Sequence, residues 1–158
     1  GGVIKCNAAY DRPFWRDRGS SGEAYAAHGL IRAVVDVSPP GGPAVLQAFL
    51  VGAEAQAASR TPAPARRAAV LASLGRWFGP EAATPLDWVE HDWIADPWSA
   101  GCVGYLGPGH LGAGLAPLRT PVGRLCFASS ETAVRWPRYL DGAVEAGERA
   151  AIEAIELL

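Results

Sequence analysis

The stretch from Arg124 to Leu158, RLCFASSETAVRWPRYLDGAVEAGERAAIEAIELL, restricts the fold of this chain more than any other. A short apolar segment, Arg124 to Ala128, predicts a strand that ends in a small-residue turn, Ser129 to Thr132. An aromatic loop, Trp136 to Tyr139, follows, and Asp141 with Gly142 opens a helix that runs to Leu158. Glu145, Glu148, Arg149, Glu153 and Glu156 are expected on that helix's outer face, so packing alone explains much of its pattern. A turn and a helix start both present unpaired backbone N–H groups, which suit anions and polar ring edges. The flanking aromatics suit a flat ligand.

The rest of the chain reads as strands around one clear helix. Val3 to Tyr10 is a strand candidate, broken by Arg12-Pro13-Phe14-Trp15. Ala24 to His28 and Leu30 to Val37 pair around His28-Gly29, and the loop Ser38 to Pro43 separates them from a buried strand, Ala44 to Val51. Gly52 to Ser59 reads as a short helix. Pro64 to Phe78 is amphipathic, with Val70, Leu71, Leu74, Trp77 and Phe78 on one face and Arg66, Arg67, Ser73 and Arg76 on the rest; Gly79-Pro80 stops it. Leu86 to Ile94 alternates Trp88, Glu90, Asp92 against Val89, His91, Trp93, a strand period. The class is α/β (α+β), in two pieces, 1–95 and 96–158, with a loop-rich run from Asp96 to Val122.

Gly107, Gly109 and Gly112 match G-x-G-x-x-G, and Glu131 follows at about the ~20-residue distance of a ribose-binding acid. Pro117 and Pro121 forbid the long helix that should receive a pyrophosphate, so this run is a turn-rich loop and not a dinucleotide fingerprint.

Composition excludes several functions. A net charge of −2 argues against nucleic acid or an anionic membrane as the main partner, and no apolar run reaches the length of a spanning helix. The three cysteines, Cys6, Cys102 and Cys126, have no metal spacing and leave an odd thiol, which points to a reducing, cytoplasmic setting. His28, His91 and His110 do not cluster, so no metal is assigned. The chain starts directly in a strand-like run and contains no Met, as expected of a segment of a longer protein.

The run FASSETA, then Trp136, then YLDGAVEAGERAA resembles the C-terminal flavin-binding signature of the flavin monoamine oxidase family, FAGTETA…W.GYM.GAVEAGERAA. VIKC with Tyr10 and PFWR at the front, and Trp93 with DPWSAGC in the middle, extend the resemblance over nearly the whole chain. Ser129 and Ser130 stand where the family has Gly and Thr, and Pro137-Arg138 replaces a Ser-Gly pair. The resemblance implies the C-terminal part of a two-domain flavin amine oxidase. Residues 1–95 would belong to a substrate domain with a mixed sheet. Residues 96–158 would supply the last strand and helix of the FAD-binding domain. The dinucleotide-binding N-terminal half would lie elsewhere.

The same resemblance assigns roles. Lys5 would hold a water against the flavin N5; on the residues alone it is a solvent-facing lysine of an edge strand. Cys102 is either a small buried hydrophobe or, as in some family members, the thiol of a thioether to the flavin 8α carbon. Trp93, Ser130, Glu131, Gly142, Ala143 and Val144 would contact the cofactor. Tyr139 matches one tyrosine of the cage that orients the amine, the other is missing unless Tyr105 shifts to serve, and Trp98, which matches an aromatic position beside the flavin, would line the substrate site. For Trp93, Trp98 and Trp136 ordinary packing competes, and Glu131 is otherwise a solvated turn acid. The implied reaction is oxidation of an amine to an imine with O2 reduced to H2O2, and the implied partners are the amine, O2 and the missing N-terminal half, with a homodimer left open. The rival reading is a non-catalytic fragment or an interaction subunit that needs a partner chain.

Overall fold

The computed structural model describes residues 1–102, 104, 106–109 and 116–158. The chain divides into two compact units, Gly1–Val103 and Gly104–Leu158.

The first unit is a five-stranded sheet backed by helices. Strands β1 (Val3–Tyr10), β2 (Ala24–Tyr25), β3 (Ala33–Asp36), β4 (Ala44–Val51) and β5 (Asp87–Asp92) lie in the order β2-β3-β4-β1-β5. Every pairing is antiparallel, so the mixed sheet implied by the resemblance is purely antiparallel within this chain's described residues. β2 and β3 pair as expected but are shorter than the runs that suggested them.

Strand alternation divides the sheet into two faces. Ile4, Cys6, Ala8, Val34, Leu46, Ala48 and Leu50 are all completely buried, against Val70 and Leu74 of α3 (Ala63–Phe78) and Ala55 of α2 (Gly52–Ser59). At the end of β1, Tyr10, Phe14 and Trp15 of the short helix α1 (Phe14–Asp17) pack edge to face, with centroids 5.0–5.7 Å apart. The break expected at Pro13 is therefore a helical turn that closes the core.

α3 starts one residue earlier than expected, at Ala63, with a proline in its first turn, and stops at Gly79, whose φ of +97° only glycine adopts freely. Its polar side is not wholly exposed. Arg66 and Ser73 are buried. Arg66 Nε and Nη2 donate to Glu90 at 3.0 and 2.5 Å, and Nη1 donates to the Ala58 and Thr61 carbonyls at 2.7 and 2.9 Å.

Asp36 joins α1 to the sheet. Trp15 Nε1 and Arg16 Nε each donate to its Oδ2 at 2.8 Å, and Ser38 donates through both N–H and hydroxyl to Oδ1. Burial pushes this carboxyl up, but the hydrogen bonds from Ser38, Trp15 and Arg16 outweigh it and hold the pKa near 2. Its side chain is 6% exposed, so the shift reports on stability. An unfolded Asp titrates near ~3.9, so Asp36 stabilises the fold above about pH 4 and loses that contribution, about 2 kcal/mol, as the pH falls towards 2. Urea melts between pH 2 and 6 should show this slope flattened in Asp36→Asn.

The second unit is dominated by α4 (Leu140–Glu156) and a 3-10 turn at Ser130–Thr132. The strand expected over Arg124–Ala128 is absent: the described residues there form an isolated bridge between Val122 and Leu125. The segment has no partner strand among the described residues, and the Phe127 carbonyl instead accepts from Arg149 Nη2 at 2.7 Å. Of the glycine-rich run, the part from His110 to Leu115 lies outside the described residues; a 3-10 turn follows at Ala116–Arg119. No described helix is long and apolar enough to cross a membrane.

Candidate functional site

In the first unit two of the predicted residues, Lys5 and Trp93, lie near each other, Lys5 on the sheet face that alternates away from the helix-covered core. The register places Lys5 of β1 between Phe49 of β4 and His91 of β5. β1 is a central strand, so the edge-strand alternative for Lys5 fails. Lys5 is half-buried, and its Nζ lies 5.8 Å from the centroid of the Phe49 ring and 5.9 Å from that of Trp93. Aromatic faces attract a cation without neutralising it.

Trp93 also meets the His91 ring, at a centroid separation of 4.2 Å. His91 Nε2 in turn lies 3.5 Å from Asp96 Oδ2. The Trp93 indole N–H is buried and has no hydrogen-bond partner, the one such side-chain atom among the described residues. Buried donors are nearly always paired, so an unpaired one marks a place where a bound group completes the bonding.

Asp96 builds the turn that leads to Cys102. Its Oδ1 accepts from the Trp98 and Ser99 amides at 3.0 and 2.8 Å, and its carbonyl accepts from Ala100 N at 2.9 Å. Chiefly the Ser99 amide, then that of Trp98, holds the Asp96 carboxyl below the ordinary range. The chain leaves this turn with left-handed Ala100 (φ +50°), and Cys102 N donates to Gly1 O at 3.1 Å. Cys102 is a half-buried free thiol, whereas Trp98 is 94% exposed and packs in no core. His91 and Asp96 were not anticipated as site residues; the alternation that placed His91 on the face of Trp93 was the available signal.

In the second unit, the predicted turn and aromatic loop are tied to α4 by Arg149 and Glu145, which sequence reasoning left in solvent, and the turn is also held by Arg119. Arg149 Nη2 donates to Thr132 Oγ1 at 2.9 Å, and Arg119 donates to the Thr132 and Ala133 carbonyls at 2.8 and 2.9 Å. The Glu145 carboxylate accepts from Val134 N and Arg135 N at 3.1 and 2.9 Å; the Arg135 amide first, then that of Val134, lowers its pKa. Glu131 is half-buried, and its carboxylate accepts from Ser130 Oγ at 3.3 Å.

The loop over the start of α4 is tight. Trp136 and Arg138 both have left-handed backbones, φ +51° and +72°. The Trp136 and Tyr139 rings meet edge to face, with centroids 6.1 Å apart. A Cβ on Gly142 would sit 2.2 Å from the Trp136 carbonyl oxygen, so only glycine lets the loop cross the helix there. Of the three helix-start residues, Gly142 is buried, Ala143 half-buried and Val144 exposed. Tyr105 lies outside the described residues.

Arg138 takes a left-handed backbone without glycine's freedom, at a cost of about 1–2 kcal/mol. Arg138→Gly keeps the Arg138 N to Ser130 O bond of 3.0 Å and should stabilise the chain by a net ~0.5–1 kcal/mol, raising Tm by a few degrees. A thermal melt checks this; a lower Tm would mean that the arginine side chain stabilises the loop.

Known proteins resemble this chain over nearly its whole length. The family described as flavin containing amine oxidoreductase matches residues 1–155. A probable flavin-containing monoamine oxidase A of Dictyostelium discoideum is 37% identical over 155 residues, 97% of this chain and 34% of that protein. An L-amino acid dehydrogenase of a Synechocystis species is 36% identical over 160 residues, all of this chain and 34% of that protein. The solved structure of cyclohexylamine oxidase from Brevibacterium oxydans superposes with a TM-score of 0.87 at 34% identity, covering 99% of this chain and 36% of that one. The chain thus spans about a third of the length of the relatives it matches.

Proposed function

This chain belongs to the flavin-containing amine oxidoreductase family, and we propose that it supplies the C-terminal part of an FAD-dependent amine oxidase. Residues 1–95 are the substrate-domain piece in this reading, and 96–158 the piece that completes the FAD-binding domain. The flavin would supply two-electron redox chemistry, so that an amine becomes an imine, later hydrolysed, while O2 becomes H2O2.

The observation that carries the reading is the half-buried Lys5 ammonium lying over Phe49 and Trp93, beside an indole N–H that has no protein acceptor. Lys5 orients a water and sets a positive charge where oxygen is reduced. Trp93, with His91 and Asp96 behind it, supplies a fixed aromatic wall. Cys102, a free half-buried thiol, is the attachment point if the cofactor is covalent. In the second unit Ser130, Glu131 and the start of α4, Gly142 to Val144, contact the cofactor, and Tyr139 with Trp136 orients the amine. Trp98 and Tyr105 complete the substrate-binding set. The three free thiols fit a reducing compartment.

A second reading draws on the second unit, where Val144, Ile152 and Ile155 are 59–68% exposed. Such a row of apolar residues fits a chain that is an interaction subunit and not a catalyst by itself. One purification separates the two. The amine oxidase reading predicts that the chain joined to the remainder of an enzyme of this family is yellow, and that Cys102→Ala moves any colour from the acid-precipitated pellet to the supernatant. A colourless protein under those conditions would leave the interaction reading.

A further inference from the structure

The Lys5 ammonium makes no hydrogen bond or ion pair to any described residue; two rings flank it, Phe49 at 5.8 Å and Trp93 at 5.9 Å. A lysine stem is flexible, so the place of its charge depends on how firmly those rings stand. Phe49 is set by β4, in register with Lys5. Trp93 is not set in that way. β5 ends at Asp92, and although Trp93 N still donates to Val3 O at 3.2 Å, its buried indole N–H has no acceptor to fix the ring.

The ring that meets Trp93 is His91, with centroids 4.2 Å apart and planes at 61°. His91 belongs to the edge strand β5 and its side chain is 50% exposed, so no core packing fixes the imidazole. Asp96 Oδ2 lies 3.5 Å from its Nε2. Asp96 is itself anchored, because Oδ1 accepts from the Trp98 and Ser99 amides at 3.0 and 2.8 Å. Those amides, that of Ser99 first, keep the carboxyl below its ordinary range, so it is charged at neutral pH. The charged groups on the side of His91 are Lys5, its partner across the ladder, and Asp96. Glu90 and Asp92 alternate to the opposite face, where Glu90 is engaged by Arg66.

We propose that His91 and Asp96 are positioning residues: together they hold the Trp93 indole, and through it the Lys5 ammonium, in the place where oxygen is reduced. The inference rests on the amine-oxidase reading and adds two residues to it. In that half-reaction one O2 takes two electrons from the reduced cofactor and two protons to become H2O2. The ammonium steadies the negative charge on oxygen before the protons arrive, and it does so only where it is held in reach. The anchored turn, Asp96, His91, Trp93 and Lys5 thus form one chain of support, and neither His91 nor Asp96 needs to meet the amine.

The test uses the full-length, flavin-loaded polypeptide, reduced with dithionite and mixed in stopped flow with either O2 or dichlorophenolindophenol, a dye that accepts electrons without passing through reduced oxygen. His91→Ala should slow reoxidation by O2 about 10-fold, the order of a small misplacement at a reacting centre, and reoxidation by the dye no more than ~2-fold. His91→Phe keeps a ring for Trp93 but loses Asp96, and should fall between. Asp96→Asn keeps an acceptor for the Trp98 and Ser99 amides, so the turn survives, and it should match His91→Phe. Added to Lys5→Met, His91→Ala should cost no further rate, because its effect passes through the lysine. The indole N–H resonance of Trp93, assigned by its loss in Trp93→Phe, should shift or broaden in His91→Ala and in Asp96→Asn. Equal slowing with both acceptors, an unchanged rate with O2 in His91→Ala or Asp96→Asn, an undiminished effect on top of Lys5→Met, or an unmoved Trp93 resonance overturns the proposal while leaving amine oxidation intact. A polypeptide that takes up no flavin overturns the amine-oxidase reading, and this proposal with it.

Discussion

Replacing Lys5 by methionine is expected to slow reoxidation of the reduced flavin enzyme by O2 on the order of 10²–10³-fold, the size of effect seen when one preorganised charge or donor is removed from a reacting centre. Lys5 sits in a central strand with Phe49 and His91 as its cross-strand neighbours, and its ammonium is flanked by rings instead of carboxylates. Its charge is not cancelled by those neighbours, and in the proposed reaction it would stabilise negative charge building on dioxygen. Methionine keeps the apolar stem that packs on Phe49 and Trp93, so the fold should survive. Stopped-flow mixing of reduced enzyme with O2 reads the rate. A rate within ~2-fold of the parent would confine Lys5 to packing.

The second large effect falls on stability. Glu90→Ala should destabilise the first unit by about 3–5 kcal/mol, because it strands the Arg66 guanidinium in a buried site. Arg66 and Glu90 side chains are 8% and 11% exposed and meet at 2.5 Å. Arg66 also carries the Ala58 and Thr61 carbonyls, which links the end of α2 to β5 through α3. Cys6 Sγ lies 3.7 Å from Glu90 Oε2, and burial first, then the Glu90 charge, pushes the thiol pKa up, so Cys6 stays protonated and inert. Urea melts should show the midpoint of Glu90→Ala lowered by roughly 1–2 M. Arg66→Met should cost at least as much, and the double variant less than the sum of the two. A midpoint shift below ~0.3 M for Glu90→Ala would show that water reaches the pair and screens it.

The elements of the first unit were legible because each carries a strong local pattern: apolar runs at β1 and β4, strict alternation at β5, and a 3.6-residue stripe at α3 ended by Gly79. What was misjudged depended on partners distant in sequence. Arg66 looks like any surface arginine until Glu90, 24 residues on, is placed beside it. Arg149 and Glu145 look like a solvated helix face, yet they hold the turn and the aromatic loop through backbone groups that no side-chain pattern announces. Arg124–Ala128 has the composition of a strand, but a strand exists only by pairing, and no pairing strand is present among the described residues. The proposed site residues rest on resemblance more than on physics, since Lys5 by itself has the sequence context of a solvent-facing residue; the register across β4, β1 and β5 gives it a physical setting. Arg138 is the reverse case, a departure from the resembled pattern whose left-handed backbone only the folded chain reveals.

The central claim is the proposal that this chain forms part of a flavin enzyme that oxidises amines. Anaerobic titration of the flavin-loaded full-length polypeptide with amines and amino acids, followed by absorption, tests it most directly. The account predicts stoichiometric bleaching of the flavin by its substrate and full recovery of colour, with one peroxide per turnover, when air is admitted. A flavin that stays oxidised through every amine and amino acid tried, or a polypeptide that binds no flavin, would contradict it.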